Sequence, residues 1–569
     1  MDLEDLETLK ETDIWQLYSE AQSYARLIGM YSDTDRNFRM YNGNQWEGVK
    51  VKDVELVQLN FIKPIVKFKV GTINQNLWAI NFSAENFENP EFMPTAVKVC
   101  ELLNKKAAKI WERNNMDYYM RVLSKIAAIN DEAVAYFYYD KKENMPILEV
   151  LAKNDIYYGN ENDDNIEKQP YIIIKQRMPV INARDLAAKY QVPSDQINLI
   201  VGDMETSEES GESAKYEKDD MVTVLTKLYK KDGKLYYSKA TRFVELKKET
   251  NTLLELYPVA HLPWEPKEGS ARGEGEVRNL IPNQLEVNKT LMRRALVTKN
   301  TAYPQKAVNV DNLQNPDALN KVGGILKFKG KEVSDISKVF SISNPAQMST
   351  DVKQLQQDLI DITRALAGAS ESATGEVKPD EASGKAILAV QQASQLPLVE
   401  QIGTLKNFVE SIARIWLNMI IIYNQNGMKL EETVTDPTTG QEITQLVDIP
   451  ASVMQELKAS VKVDVTPTSA YDRFAQEVSL ENLLKGGWFS PQLIGQLKMY
   501  VKALPDNSTM PKQKILEMIK EQEKEQQRIA EINAQSQMMM QQAQTFLGQD
   551  PETQKSRLED AEMQQIEQV

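Results

Sequence analysis

The sequence predicts a mixed α+β fold that is dominated by helices in its centre and in its C-terminal third. The chain has 569 residues, 42% of them hydrophobic and 26% charged, so it can form several packed lobes. Runs of aromatic and β-branched residues before residue 265 are typical of strands. After residue 273, apolar residues recur at spacings of three and four, which indicates helices.

The N-terminal part begins with helical patterns. Apolar spacing predicts helices over residues 14–30 and 96–129, with Thr95 as the N-cap of the second. Between them, the phrase Tyr-Asn-Gly-Asn-Gln-Trp at residues 41–46 is a turn signal next to aromatic residues.

Strand patterns follow, and they complete an α+β lobe that extends to about residue 265. The predicted strands are residues 134–139, 147–151, 171–177, 221–229 and 235–243. Asp232-Gly233 joins the last two as a hairpin signal. A short helix is predicted over residues 183–190, and the acidic, serine-rich segment 202–220 is predicted to be a mobile loop.

The central run has a distinctive order of elements. A helix is predicted over residues 273–302, with Pro282 either near its first turn or kinking it. The next segment, 303–346, has short strand signals at 306–310 and 324–328. A second helix, residues 347–367, carries a heptad seam formed by Val352, Leu355, Leu359, Ile362 and Leu366.

The run continues through a loop rich in Gly, Ser, Glu and Ala at residues 368–384. A long helix is predicted over residues 385–426, with a kink at Pro397 and an end at Asn426-Gly427. Strands with a central turn are expected over residues 430–467, and helices from residue 471 onward.

Composition narrows the classes of function. The formal net charge of −15 disfavours tight, static binding of nucleic acid, whereas an acidic wall suits DNA that must slide past. One cysteine and one histidine cannot form a disulfide or the usual zinc site. The N-terminus lacks the pattern of a signal peptide, and no stretch is apolar enough for a membrane span. We therefore expect a soluble intracellular product.

No catalytic, cofactor-binding or metal-binding constellation is predicted. A Walker A motif is absent, because Ala386 follows Gly384-Lys385. Arg278 occupies the position at which a dinucleotide fingerprint after Gly273 would need its third glycine. No cofactor is therefore expected.

Several other residues could be given a functional interpretation, and for each we expect a structural one. His261 is expected to be a packed or surface histidine and Cys100 a buried structural thiol. The paired acids Asp163-Asp164 and Asp219-Asp220 are expected to be solvated loop charge. Core or subunit-contact roles are expected for Trp416 and Tyr423, and bundle or tail roles for Met538, Met539 and Met540.

The central run resembles the portal proteins of tailed double-stranded DNA bacteriophages. The phrase Gly-Glu-Gly-Glu-Val-Arg-Asn-Leu at residues 273–280, followed by Gln284, Asn288 and Asn-Thr-Ala-Tyr-Pro at 300–304, is similar to that family's first stem helix. The turn at residues 41–46 resembles a Gly-x-Gln-Trp turn common near portal N-termini. The order of elements is similar over most of the chain.

The resemblance implies an architecture of wing, stem, clip and crown. Its parts would be the wing (1–272 and 428–470), two stem helices (273–302 and 347–367), the clip (303–346), the tunnel loop (368–384), the long kinked helix (385–427) and a crown with a helical extension (471–569).

It also implies a structural role without enzymatic activity. Such proteins form a ring, usually of twelve subunits, at one capsid vertex of the virion after synthesis in the host bacterial cytoplasm. Double-stranded DNA passes through the ring during packaging and ejection. The implied partners are the terminase, the head–tail connector or adaptor, and the major capsid protein, with no membrane involved.

Three sets of residues are the candidate functional sites. Residues 276–302 carry five basic and two acidic side chains, and residues 303–346 carry six lysines and four acids, which reverses the overall charge locally. The sets are the tunnel loop facing DNA (Gly368, Glu371, Gly375, Glu376, Lys378, Asp380, Glu381, Gly384), the stem basic surface (Arg278, Lys289, Arg293, Arg294, Lys299) and the clip docking lysines (Lys321, Lys327, Lys329, Lys331). A solvated helix face and a plain helix linker remain the alternatives for the stem and the loop.

Two other classes of function remain open. A metal-dependent phage DNA-processing enzyme would cleave DNA with divalent ions through scattered carboxylates. A helical scaffold or coiled-coil assembly protein would form filaments or dimers through the polar helix predicted over residues 511–544. Closed rings of the purified protein would distinguish a portal from both.

Overall fold

The protein is described by a computed structural model. The described residues are 10–52, 55–75, 77–84, 93–203, 221–302, 306–321, 324–329, 340–342, 350–369, 396–435, 442–454, 461–468, 479–489, 494–504 and 512–547. The chain divides into two compact units, Met1–Pro467 and Thr468–Val569. The first unit mixes helices and sheets, which confirms the α+β class, and the described part of the second unit is helical.

The described helices of eight or more residues extend over most of the chain. They are α1 (Asp13–Leu27), α2 (Met30–Asn42), α3 (Ile62–Ile73), α4 (Met93–Arg113), α5 (Met116–Asn130), α6 (Val180–Lys189), α7 (Glu276–Ala302), α8 (Thr350–Leu366), α9 (Val399–Tyr423), α10 (Ile494–Ala503) and α11 (Lys512–Leu547). None of these described helices is both long enough and apolar enough to span a membrane.

The described strands form two larger sheets and four two-stranded pairs. They are β1 (Leu77–Ala84), β2 (Glu132–Asp140), β3 (Met145–Leu151), β4 (Ile156–Tyr158), β5 (Tyr171–Pro179), β6 (Met221–Lys231), β7 (Lys234–Ala240), β8 (Glu245–Asn251), β9 (Val259–Pro263), β10 (Glu265–Pro266), β11 (Gly273–Glu274), β12 (Lys306–Val308), β13 (Phe340–Ile342), β14 (Met428–Thr435), β15 (Glu442–Ile449) and β16 (Val461–Thr468). The larger sheets have the orders β4-β5-β6-β7-β8 and β3-β2-β9, and the pairs are β1-β16, β10-β11, β12-β13 and β14-β15.

The five strands predicted from aromatic and branched residues all form, as β2, β3, β5, β6 and β7. The hairpin between β6 and β7 turns at Asp232 and Gly233, whose φ angles of 52° and 73° are both positive. A two-residue turn of this kind matches the twist of the strands that it joins. The Asp-Gly prediction is therefore confirmed.

Two predictions about the first helices are wrong. The predicted helix 96–129 is two helices, α4 and α5, because Asn115 takes a left-handed conformation between them. Asn114 secures the break, since its side chain bonds the backbone of Ile110, Pro146 and Leu148. Thr95 lies inside α4 rather than capping it. Helix α3 was not predicted.

Helix α9 lies in the centre of the main core, as its three–four spacing predicted. Leu405, Val409, Ile412 and Trp416 are buried, and the Trp416 ring meets Trp111 and Phe137 edge to face. Tyr423 at its C-terminal end stacks on Tyr139 with a 4.4 Å separation of the ring centroids. The core interpretation of both aromatic residues is confirmed.

The central run differs from its prediction at one point. Residues 324–328 do not form a strand, because only Phe328 makes a bridge, to Leu313, and the partner of β12 is β13. Pro397 lies in a 3-10 turn, Leu396–Leu398, that leads into α9, and the kink predicted there stays a prediction because the residues before Leu396 lie outside the described residues. The expected start of that helix at residue 385 lies outside the described residues.

The heptad seam predicted for α8 is only partly covered within the chain. Gln356, Ile360 and Thr363 are buried, on the side of α8 that faces α7. The seam residues Leu355 and Ile362 are half-exposed, at 51% and 56%, and Leu366 is 81% exposed. The amphipathic helix is therefore confirmed. Of its seam, Leu359 packs against the main core, whereas Leu355, Ile362 and Leu366 are uncovered in the single chain.

The second unit contains a small core of its own. Tyr500, Val501, Leu504 and Ile519 are buried together where α10 packs on α11. Met538 and Met539, further along α11, are about two-thirds exposed.

Replacing Trp416 by alanine tests the position of α9 in the core. We expect a loss of about 3–5 kcal/mol of unfolding free energy, because the large buried side chain leaves a cavity. The exposed Tyr118 is the matched control, and Tyr118→Ala should change stability by about 0.5 kcal/mol or less. Denaturant titration followed by circular dichroism measures both. Equal effects of the two variants would contradict the assignment.

Candidate functional site

Helix α7 carries the candidate basic surface and packs side by side with α8. Arg294 on α7 donates to Gln356 Oε1 on α8 at 2.5 Å, and Asn283 donates to Thr363 Oγ1 at 3.0 Å. These polar contacts fix the register of the two helices, because each joins a defined turn of one to a defined turn of the other. We call α7 and α8 the paired helices.

The two phrases that carry the family resemblance meet in space. Gln284 and Asn288 on α7 are fully buried, and Asn288 donates to Gln45 Oε1 of the turn at residues 41–46. The two side chains are separated by 243 residues in sequence. Neither phrase alone explains why the polar side chains of Gln284 and Asn288 are buried. The contact between the two phrases explains it, because it gives a buried amide a hydrogen-bond partner.

The extended segment 55–61 lies between the two phrases and is bonded by both. Gln284 Oε1 accepts from the Phe61 N–H at 3.0 Å, and its amide donates to Leu59 O at 2.6 Å. Asn288 Oδ1 accepts from the Leu59 N–H at 3.0 Å. From the other side, Trp46 donates to Val57 O at 3.1 Å. We call this arrangement the amide junction.

The turn phrase contributes its own geometry to the amide junction. Gly43 ends α2 with a φ of +89°, a conformation that disfavours other residues. This reversal lets Gln45 fold back, so that its amide donates to Met40 O at 3.3 Å and its oxygen faces Asn288. The Gly-x-Gln-Trp pattern is therefore explained by the contacts of its three named residues.

A second set of contacts holds the N-terminal end of α7. Gly275 donates its N–H to Asp131 Oδ1 at 2.9 Å, and a Cβ there would lie 2.9 Å from the Asp131 nitrogen. A Cβ on Gly273 would lie 2.6 Å from the Asp131 carbonyl oxygen. Both glycines are thus required by close packing against the start of β2, and no phosphate loop is needed to explain them.

Buried ion pairs accompany this packing. Lys69 of α3 contacts Glu276 at 2.6 Å, and the Trp264 indole donates to the same carboxylate at 3.3 Å. Lys153 contacts Asp131 at 2.5 Å. A buried charge is costly unless it is paired, so each pair locks the two segments that supply it.

The largest buried network is centred on Glu132. Its carboxylate contacts Arg272 Nη1 at 2.5 Å and His261 Nε2 at 3.0 Å. Arg272 also bonds Glu161 at 2.7 Å and the carbonyl of Ile156, and its guanidinium lies over the Tyr158 ring. Burial alone raises the pKa of Glu132, but Arg272 and then His261 outweigh it and hold that pKa well below its usual range.

No sequence pattern indicated these ion pairs. Glu132, Arg272, Lys69 and Glu276 are ordinary charged residues in the chain, and only their burial distinguishes them. The nearest signal was the position of Arg272 directly before the Gly273 phrase. His261 is a packed histidine, as expected, and its partner is a fully buried carboxylate.

The stem basic residues differ in their surroundings. Arg293 and Lys289 are half-exposed and share Glu286, at 3.0 and 3.8 Å, and Arg278 lies 3.5 Å from Asp33. Arg294 is partly buried against Gln356. Lys299 is exposed near the end of α7. Arg294 thus holds the paired helices together, while Arg293, Lys289 and Lys299 face outward.

The clip lysines that the structure describes are exposed on a fixed backbone. The Lys327 N–H donates to Asn315 Oδ1, and the Lys329 N–H donates to Asn312 O, each at 2.8 Å. Lys321, Lys327 and Lys329 therefore present their side chains to solvent. Lys331 lies outside the described residues.

Gly368 is the one candidate site residue of the tunnel loop that the structure describes. It ends α8 with a φ of +70°, and a Cβ there would lie 2.8 Å from the Pro397 side chain. The residues that flank segment 370–395 are thus in contact. The other loop residues, Glu371, Gly375, Glu376, Lys378, Asp380, Glu381 and Gly384, lie outside the described residues.

The remaining candidates show no catalytic arrangement in the described part of the chain. Cys100 is buried, and burial raises the pKa of its thiol to about 11. Among the described residues, no three His, Cys, Asp or Glu side chains could together hold a metal ion. Asp163 accepts from the Asn165 backbone in a loop, and Asp219-Asp220 lies outside the described residues.

Replacing Gln284 by leucine tests the amide junction. The variant leaves the Phe61 N–H and the Leu59 carbonyl without partners, and each lost partner costs about 1–3 kcal/mol. Asn300→Leu on the exposed face of the same helix is the matched control, with an expected effect of about 0.5 kcal/mol or less. Denaturant titration measures both. A Gln284→Leu variant as stable as the control would contradict the junction.

The Glu132 network predicts a pH dependence of stability. Because the pKa of Glu132 is lowered in the folded chain, its contribution is present above the unfolded value of about 4.3 and is lost as pH falls through the folded value. Glu132→Gln should therefore be less stable than the wild type at neutral pH, by about 3–5 kcal/mol. The difference should shrink below about pH 4 in denaturant titrations. A difference that is constant with pH would contradict the paired carboxylate.

Comparison with known proteins relates this chain to a protein family. No curated protein matches the chain. The family model of the phage P22-like portal protein matches residues 160–568, which contain the paired helices, the segment between them and the helices of the second unit. Because this match covers well over half of the sequence, the chain belongs to the P22-like portal protein family of bacteriophages.

Proposed function

We propose that the chain forms the ring-shaped DNA channel at one capsid vertex of the virion. The family match over residues 160–568 carries this proposal. The genome enters through the ring during packaging and leaves through it at ejection. The ring is a homododecamer that the major capsid protein surrounds, and each subunit is made in the host cytoplasm.

The described elements support an assignment of parts. The paired helices α7 and α8 act as the stem, and the segment with the β12-β13 pair acts as the clip. The lobe before α7, with the strands after α9, acts as the wing. The second unit acts as the crown.

The uncovered face of α8 supports assembly into a ring. Leu355, Ile362 and Leu366 are exposed on the side of α8 that does not pack on α7. A ring of identical subunits needs two different faces on each, with one matching the other on its neighbour. A neighbouring subunit that covers these side chains would remove them from water, which is favourable by about 25 cal/mol for each Å².

The position of Gly368 supports a tunnel loop. Because Gly368 and Pro397 are in contact, the two described residues that flank segment 370–395 lie close together, as the two ends of a loop would. Such a loop can contact DNA in the channel without altering the helices that hold it. Its acidic balance limits adhesion to phosphates.

The outward-facing cations support docking at the stem and clip. Arg293, Lys289 and Lys299 on α7 and the exposed clip lysines form basic surface on an acidic protein. Terminase and then the head–tail connector dock on the clip, and the stem cations face DNA or these partners. The chain breaks no bond itself, and its mechanism is positional.

Electron microscopy of the purified chain tests the ring. We expect closed rings with a central hole for the wild type. Ile362→Asp should abolish or greatly reduce them, because burial of an unpaired charge between subunits is costly. Folding of the variant is checked by circular dichroism, and Gln354→Asp on the same helix, whose position is exposed, is the control.

Filaments, dimers or monomers of the wild type would contradict the proposal. Rings formed equally well by Ile362→Asp would show that the α8 face is not at the subunit interface.

A further inference from the structure

A basic cavity lies on the N-terminal lobe, and none of the residues that line it belongs to the tunnel loop, the stem basic surface or the clip docking lysines. Its volume is about 560 Å³, and its walls come from α2, α3 and α5. The residues that line it are Tyr41, Val66, Lys67, Val70, Gly71, Asn74, Gln75, Arg121 and Lys125. None of them is acidic, in a chain whose net charge is −15. The cavity also lies before residue 160, where the family match begins.

Two helices supply the cations in matching pairs, of which Lys67, Arg121 and Lys125 line the cavity and Lys63 lies beside it, next to Tyr41. Lys63 and Lys67 are four residues apart on α3, as are Arg121 and Lys125 on α5. Each pair is therefore separated by about 6 Å along its helix. Lys63 and Lys125 both approach the Tyr41 ring, with their Nζ atoms 5.6 and 5.5 Å from its centroid. The four cations thus form two short rows with a tyrosine between them at one end.

These cations are not neutralised within the described part of the chain. None of the four forms an ion pair there, and Lys67, Arg121 and Lys125 are exposed. The acidic residues of α2 and α5 have other partners. Asp33 contacts Arg36 and Arg278, Asp35 contacts Arg39, and Asp117 accepts from the Trp111 indole.

The remaining lining suits an oxygen-rich anion. The side chains of Asn74 and Gln75 add polar groups at the end of α3, where the Asn74 N–H and amide already bond the Val70 carbonyl. Gly71 has open space where a Cβ would be, so a ligand can approach the backbone closely. The only aliphatic walls are Val66 and Val70. An acidic peptide would need more apolar anchoring than these provide.

We propose that this cavity binds phosphate groups and that their source is the backbone of double-stranded DNA. Lysine, arginine, asparagine and glutamine are the side chains that commonly contact DNA phosphates. The two rows of cations, each about one helical turn long, can contact successive phosphates where a single free anion would engage only part of the set. None of the cavity residues belongs to the tunnel loop, the stem basic surface or the clip docking lysines, so this contact with DNA is additional to that of the tunnel loop.

Binding of a short labelled duplex to the full chain tests the proposal by fluorescence anisotropy. Lys67→Glu with Arg121→Glu should weaken binding roughly tenfold at low salt. It should also reduce the slope of log affinity against log salt concentration by about two. The matched control is Lys234→Glu with Lys248→Glu, two exposed lysines on β7 and β8 that undergo the same change of charge. All changed side chains are exposed, and circular dichroism confirms that both variants fold.

Two further probes identify the source of the phosphate. Inorganic phosphate is titrated calorimetrically, and polyglutamate is used as a competitor of the duplex. Loss of phosphate binding in the cavity variant, with duplex affinity equal to that of the control, would support a phosphate site but exclude DNA as its source. Displacement of the duplex by polyglutamate at equal charge concentration would overturn phosphate recognition. So would a cavity variant that matches the control with both phosphate probes.

These outcomes are independent of ring formation. Rings that assemble normally from the cavity variant would leave the proposed function intact while the phosphate site is decided by binding alone. A chain that forms no rings could still bind phosphate through this cavity.

Discussion

The amide junction is the contact on which the central part of the molecule depends. The amide side chains of Gln284 and Asn288 would be costly to bury without hydrogen-bond partners. The backbone groups of segment 55–61 that they contact would likewise be buried without partners if these amides were absent. The side chains and the backbone segment therefore supply each other's hydrogen bonds. Because Gln45 completes the set, the N-terminal turn, the extended segment and helix α7 are fixed to one another. The buried ion pairs at Glu276 and Glu132 extend the same anchoring to the start of α7.

This anchoring explains how the long helix α7 can hold its exposed cations in a fixed position. The first half of α7 is held by buried amides and glycine contacts, and its second half carries outward-facing cations. Helix α8 is held to it through Gln356 and Thr363, which leaves Leu355, Ile362 and Leu366 uncovered. In the proposed ring, rigid attachment to the wing would keep these surfaces at a constant position in every subunit. The phosphate cavity is formed by α2, α3 and α5, which pack around the same anchored region.

Much of the local structure could be predicted from the sequence, because it depends on local patterns. The strands β2, β3, β5, β6 and β7, the Asp-Gly turn and the apolar stripe of α9 follow from residue spacing. Breaks between helices depend on single residues. Asn115 divides α4 from α5, and the spacing of apolar residues does not show this break. The apolar seam of α8 was predicted from its spacing, but spacing does not show what covers it, because an apolar face looks the same whether the chain or another molecule covers it.

The site itself was only partly predictable. The Gly273 phrase and the Gly-x-Gln-Trp turn were recognised as separate signals, but a contact between residues 243 apart depends on the fold. A double-mutant cycle between Gln45 and Asn288 tests the amide junction most directly. With alanine at each position, we expect a coupling free energy of about 1 kcal/mol or more, because the two side chains share a buried hydrogen bond. Additive effects of the two substitutions on unfolding free energy would contradict the account.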